Sequence, residues 1–175
     1  MRDLLRDILR DCSGFVELRY HSKVFRSVTA EKGRLERTAV RRRSGVGVRV
    51  LEAGTWGFAA TGDPSPAAIR EAIAEAQRAA RASADYRKQK LKALPRVQLA
   101  QGEFCEPGVG EVLNKPLEAK IQLVLETEAQ AQKSSARIGS ASCTYNEIYE
   151  EKAIVTTDGA DVAFRLVRPE LRVQA

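Results

Sequence analysis

The sequence is short of the residues from which most reactive sites are built. Its 175 residues hold one histidine, one tryptophan, one methionine and three cysteines. A zinc-hydrolase helix of the His-Glu-x-x-His kind needs two histidines on one face with a carboxylate beside them, so His21 alone cannot make one. His21 stands in a predicted strand next to Tyr20, where a packed or solvated strand residue is the plain reading. Cys12, Cys105 and Cys143 are odd in number, far apart and free of any Cys-x-x-Cys pair. They suggest neither a disulfide framework nor a zinc finger, and a reduced, intracellular setting fits them best. Aromatics make up 6% of the chain, too few for a surface that stacks unpaired bases. No apolar run approaches the roughly 18 residues that span a bilayer. The opening "MRDLLRDILRDCSG" breaks its leucines with charge, so it is an amphipathic helix and not a signal peptide. A cytoplasmic location and no membrane partner are the expectations.

What is present is ordinary for a folded protein. Hydrophobic residues at 43% and charged residues at 30% suit one medium domain or two small ones around a real core. The net charge of +6 permits a polyanionic partner without demanding one. Leu4, Leu5, Ile8 and Leu9 fall on one side at helical spacing, predicting a short helix that ends near Ser13-Gly14. From Phe15 the pattern turns to strands: 15–21, 23–30, 34–43, 45–52 and 55–61. Turns are expected at Lys32-Gly33, Ser44-Gly45 and Ala53-Gly54, and the last two strands form the clearest hairpin. Ser65 is placed to cap a second helix with Pro66 at its first position, and Ile69, Ala72, Ile73, Ala76 and Ala80 make its apolar face. Residues 87–113 show no period and read as a linker. A third helix opens at Asn114, with Pro116 in its first turn and Leu117, Ile121, Val124, Leu125 and Ala129 on its buried side. Strands follow, with a turn at Asp158-Gly159.

The fold class this predicts is α+β, antiparallel sheets with flanking helices. Helix-then-strand order in both parts suggests two related helix-plus-sheet units. The expected organisation is an N-terminal α+β domain over 1–86, the linker 87–113, and a second unit over 114–175. Because the chain stops in a strand at "LRVQA", that second unit is expected to be truncated at its C-terminal end.

The candidate motifs each have a bland counterpart. "RRRSGVGVRVLEAGTWGFAATGDPSP", residues 41–66, sets three arginines before spaced glycines. A phosphate-cradling loop needs its glycines at a strand-to-helix turn. No helix follows Gly45 and Gly47 closely and no Lys-Ser or Lys-Thr closes the motif, so close backbone approach or a bulge is the better reading. Arg34, Arg37, Arg41, Arg42, Arg43 and Arg49 form a basic strip, but strand alternation splits them between two faces and Glu36 and Glu52 dilute the charge. A charged sheet edge that discourages pairing is the simpler account. No Gly-x-Ser-x-Gly elbow or Ser-x-x-Lys supplies a serine nucleophile, and Cys143, between Ser142 and Thr144, reads as a buried small hydrophobe. Glu150-Glu151 and Asp158 with Asp161 diverge as strand neighbours do, so metal ligation is not indicated. The residues nominate no catalytic, cofactor-binding or metal-ligating side chain.

"SGVGVRVLEAGTWGFAATGDPSPAAIREAIAEAQRAAR" closely resembles the N-terminal segment of the TldD/PmbA family, with its Gly-Val-Gly-Val-Arg strand, Gly-Phe-Ala strand and alanine-rich helix. "ASCTYNEIYEEKAIVTTDGADVAFRLVRPELRVQA" resembles the family's middle region, where a Thr-Asp-Gly turn leads into an Arg-Pro strand. The resemblance implies an intracellular zinc metallopeptidase or its metal-free paired partner, acting in peptide maturation or degradation and bearing an old name as a modulator of DNA gyrase. The family's His-Glu, three residues, His motif lies C-terminal to the matched region and has no counterpart here. No catalytic residue or ligand therefore carries over, and zinc is expected only in a full-length TldD-like parent. The implied role is the substrate-enclosing and dimerising portion of such an enzyme, inactive alone. Its implied partners are a peptide or unfolded protein substrate and a second subunit, in a homodimer or a TldD/TldE-like heterodimer. The alternative is a stand-alone basic module that binds nucleic acid or a protein.

Overall fold

Glycine and its neighbours decide where the strands break. The computed structural model describes residues 1–91, 94–95 and 97–175. After helix α1 (Arg2–Arg10) come β1 (Phe15–Glu31), β2 (Arg34–Glu52) and β3 (Thr55–Thr61). Both hairpin turns have two residues at positive φ, Lys32 with Gly33 (53° and 70°) and Ala53 with Gly54 (51° and 75°). That is the signature of a type I′ turn, whose twist matches the strands it joins. The turn expected at Ser44-Gly45 is absent: neither residue leaves the extended region and β2 runs straight through. Likewise Ser22 does not interrupt β1. Four expected strands are thus two long ones.

Helix α2 (Pro66–Ala84) begins as read, with Ser65 Oγ accepting from the Ala68 N–H at 3.3 Å and proline just inside. Within 87–113, read as a linker, the structure holds strand β4 (Gln101–Cys105) and most of helix α3 (Val109–Asn114). Helix α4 (Leu117–Lys133) starts after Pro116, later than Asn114, because proline fixes an extended N-cap there (φ −64°, ψ 154°). Its buried stripe is Lys120, Val124 and Glu128, while Leu117 is exposed and Ile121, Leu125 and Ala129 are half-buried. β5 (Ser142–Thr156) and β6 (Asp161–Gln174) follow, joined through Asp158-Gly159 with Gly159 at φ +113°. Hydrogen-bonded neighbours run in the order β3-β2-β1-β5-β6-β4, and β2 pairs antiparallel with β3 from Val46–Thr61 to Glu52–Thr55. The fold is α+β, as the pattern of elements implies.

By their contacts the residues form two units, each drawn from three stretches: 1–22, 44–104 and 151–164 in the first, and 23–43, 105–150 and 165–175 in the second. The first unit packs Leu5, Ile8 and Leu9 of α1 and the alanine face of α2 on Val16, Leu18, Val46, Val48 and Val50. Gly57 makes that packing possible. A Cβ there would stand 1.8 Å from the Ala76 carbonyl oxygen, so α2 lies directly on the β3 backbone. The second unit has a smaller core of Val28, Ala30, Val124, Cys143 and Tyr145.

Candidate functional site

The most chemically distinctive place in the second unit is a charged group inside it. Glu147 on β5 is completely buried and Lys120 on α4 is 3% exposed. The Lys120 ammonium donates to Glu147 Oε2 at 2.5 Å, Arg26 on β1 donates to Oε1 at 2.6 Å, and the Tyr145 hydroxyl donates to Oε2 at 2.9 Å. A buried carboxylate is costly unless its oxygens are satisfied, and here three donors converge on them. Burial by itself would raise the Glu147 carboxyl; Lys120, Arg26 and Tyr145 together outweigh it and hold the group below the usual carboxylate range. Burial and the Glu147 oxygen push the Tyr145 hydroxyl well above its ordinary value. Both therefore keep one protonation state around neutrality. The cluster is a strut fastening α4 to β1 and β5, not an acid–base pair. A second polar tie lies nearby in the same unit, where buried Glu128 accepts from the Gly33 N–H at the β1–β2 turn.

Beside the strut a small cavity of about 100 Å³ opens, lined by Thr38, Ala39 and Val40 of β2 and by Leu117, Arg26 and Tyr145. The stretch of β2 that borders it is unusual. Residues 34–43 are exposed at every position except half-buried Ala39. The pairing with β3 reaches only to Val46, so this part of β2 has no outer neighbour among the described residues. Arg34, Arg37, Arg41, Arg42 and Arg43 all lie on it, and none pairs with a carboxylate among the described residues.

The first unit holds a different arrangement. Buried Glu17 on β1 takes Arg49 of β2 at 2.6 Å and also Arg19. Arg49 lies 4.8 Å from the centre of the Trp56 ring, and Phe15 packs nearly perpendicular to that ring with centroids 5.6 Å apart. Arginine on tryptophan with a carboxylate behind it is a satisfied surface stack. A cavity of about 560 Å³ in this unit is walled by Phe15, Leu51, Leu94, Pro95, Val97 and Leu99, with Asp158 at its margin. Asp158 accepts from the Thr156 hydroxyl at 2.5 Å, as a turn residue does.

The other residues weighed from sequence are scattered. His21 is exposed on β1. Cys143 is buried and its thiol is pushed up by desolvation, then by nearby Glu128, so it is poorly ionised. Glu150 is buried against Arg168 at 3.0 Å, and Asp161 holds Arg2 and Arg6. Among the described residues no three His, Cys, Asp or Glu side chains gather where a metal ion could sit. The described residues do not fit a zinc centre. Sequence reading missed the Lys120–Glu147 strut. Its local signal was Lys120 itself, four residues before Val124 on the stripe of α4 that faces the core.

Two family models match in order along the chain: PmbA/TldA metallopeptidase domain 1 on residues 16–80, and PmbA/TldA metallopeptidase central domain on residues 110–175. The chain belongs to the TldD/PmbA family. Solved structures with this fold include TldE from Thermococcus kodakarensis, 14% identical with a TM-score of 0.69, which covers 99% of this chain and 38% of that one. A proposed modulator of DNA gyrase from Bacteroides thetaiotaomicron is 12% identical at a TM-score of 0.68, covering 98% of this chain and 39% of its own. Another from Thermotoga maritima is 15% identical at 0.66, covering 98% and 41%. The chain thus spans about two fifths of those TldD/PmbA-fold proteins. A comparison with curated protein sequences finds no significant match. No helix among the described residues is long and apolar enough to cross a membrane.

Proposed function

We propose that this chain is the substrate-enclosing and subunit-pairing portion of a TldD/PmbA-type zinc metallopeptidase that matures or degrades peptides inside the cell. The observation that carries this reading is the succession of domain 1 and central domain on one chain. The chemistry is consistent with it. The buried charges are locked to structural partners, and the described residues gather no metal-ligand set. Holding a chain and presenting it to a metal centre elsewhere needs surfaces and rigidity, not a nucleophile. Long strands with an unpaired edge can hold an extended peptide by backbone hydrogen bonds, which gives affinity with little sequence preference. The partner is a second subunit, either another copy or a TldE/TldD-like counterpart. Zinc in this account belongs to the metal-bearing part of the assembly.

The test is complementation. The 175-residue chain is assayed for zinc content and for cleavage of unfolded peptides, alone and with a TldD-type subunit that bears the His-Glu-x-x-x-His motif. The expected result is no cleavage alone and a change in the subunit's activity on mixing. Stoichiometric zinc with cleavage by the chain alone would overturn the reading. A stand-alone basic module is the second reading, favoured by the five arginines of residues 34–43, which pair with no carboxylate among the described residues. It predicts binding to nucleic acid that falls steeply with salt and is lost when Arg41, Arg42 and Arg43 are neutralised.

A further inference from the structure

The exposed half of β2 stands out in the second unit. From Arg34 to Arg43 it is a hydrogen-bonded strand with one edge open, and every second residue on that edge turns its N–H and C=O outward. Open edges are commonly covered, shortened or protected by charge. Here the charge has one sign: five arginines stand against Glu36, and none has a carboxylate partner among the described residues. A second copy of this edge would bring arginines against arginines, so the charge disfavours self-pairing. It favours an incoming strand rich in aspartate or glutamate. Apolar contacts are available on the face that borders the cavity, with Val40 58% and Leu117 46% exposed. Val40 and Leu117 flank the cavity of about 100 Å³, large enough for one aliphatic side chain.

We propose that the open edge of β2 between Arg34 and Arg43 docks an acidic, extended segment of a substrate polypeptide. That segment pairs with the strand through its backbone and seats one apolar side chain beside Val40 and Leu117. This deepens the substrate-holding reading above and rests on it. Strand alternation explains why a peptide fits better than a nucleic acid. Arg37, Arg41 and Arg43 fall on one face and Arg34 and Arg42 on the other. A paired peptide strand also presents side chains to both faces, so its carboxylates meet arginines on each. A phosphate backbone would follow a single basic stripe, and residues 34–43 offer no aromatic on which bases stack.

The experiment uses the whole 175-residue chain and a fluorescein-labelled twelve-residue peptide of alternating glutamate and valine, followed by anisotropy. The peptide is expected to bind. Three changes should each weaken it by at least about tenfold, or 1.4 kcal/mol: lysine in place of its glutamates, N-methylation of alternate backbone amides, and the triple variant R37E/R41E/R43E. The triple lysine variant should retain most of the affinity, which separates charge from misfolding. Equal binding of the N-methylated peptide would overturn strand pairing. So would a single-stranded oligonucleotide that displaces the peptide and binds more tightly through the same arginines, or a dimer of the chain broken by the triple variant. Association with a metal-bearing subunit is measured in parallel. A chain that associates but ignores the peptide overturns this inference and leaves the broader reading standing; a chain that does neither removes both.

Discussion

Gly57 in the first unit and Glu147 in the second each hold a contact that a single change would break. Gly57 lets the α2 backbone touch β3, and the Ala76 carbonyl, being backbone, has no rotamer to escape into. Gly57→Ala should destabilise the chain by at least about 1–3 kcal/mol, the usual range for overpacking. Gly62→Ala, where nothing lies within 4 Å, should be close to neutral. Urea melts of the two variants side by side check this, and equal midpoints would contradict it. Breaking the buried strut by Lys120→Met leaves Glu147 with Arg26 and Tyr145 and a less well compensated charge, at a cost of about 1–3 kcal/mol. Lys120→Met combined with Glu147→Leu should cost less than the single change, because no uncompensated carboxylate remains. The pH dependence has a fixed sign. The folded Glu147 carboxyl lies below its unfolded value, so its contribution is full above about pH 4.3 and is lost as the pH falls through the lower folded value. Thermal melts of the wild type and Glu147→Gln between neutral pH and pH 3 should converge toward the acid end.

Elements are where the sequence was most and least legible. Helix α2 could be read whole, since its cap, its proline and its alanine stripe are all local features. Ser65→Ala should lower stability by about 1 kcal/mol and Ser65→Gly by only a few tenths, measured by thermal denaturation. The hairpin turns at Lys32-Gly33 and Ala53-Gly54 were equally legible, because positive φ at two successive residues leaves few sequences to choose from. Ser44-Gly45 carries similar letters without the geometry. Gly45 sits in extended backbone where a Cβ would meet the Thr61 carbonyl oxygen at 2.8 Å, so its role is close approach and not turning. That distinction depends on a partner strand and is invisible locally. α4 was legible in part. Val124 is buried as its spacing predicts, and Ile121 and Leu125 pack against the same core, but Leu117 is exposed and the other buried positions are Lys120 and Glu128, whose charges are compensated by residues far along the chain. β4 and α3 were missed because both are short, and β4 is exposed throughout.

For the whole molecule, sequence pattern fixes the fold class and the family, while the chemistry is one of support. Its buried carboxylates face cations or backbone amides, and five of its arginines stand on one unpaired stretch of strand. That distribution is consistent with the holding and pairing role proposed above, which rests on the succession of the two family domains. The most direct measurement is the native mass of the chain mixed with a TldD-type subunit bearing the His-Glu-x-x-x-His motif, with and without a peptide substrate. The account predicts a defined complex containing both chains, more strongly populated when peptide is present. Two species that keep their separate masses at every ratio would contradict it.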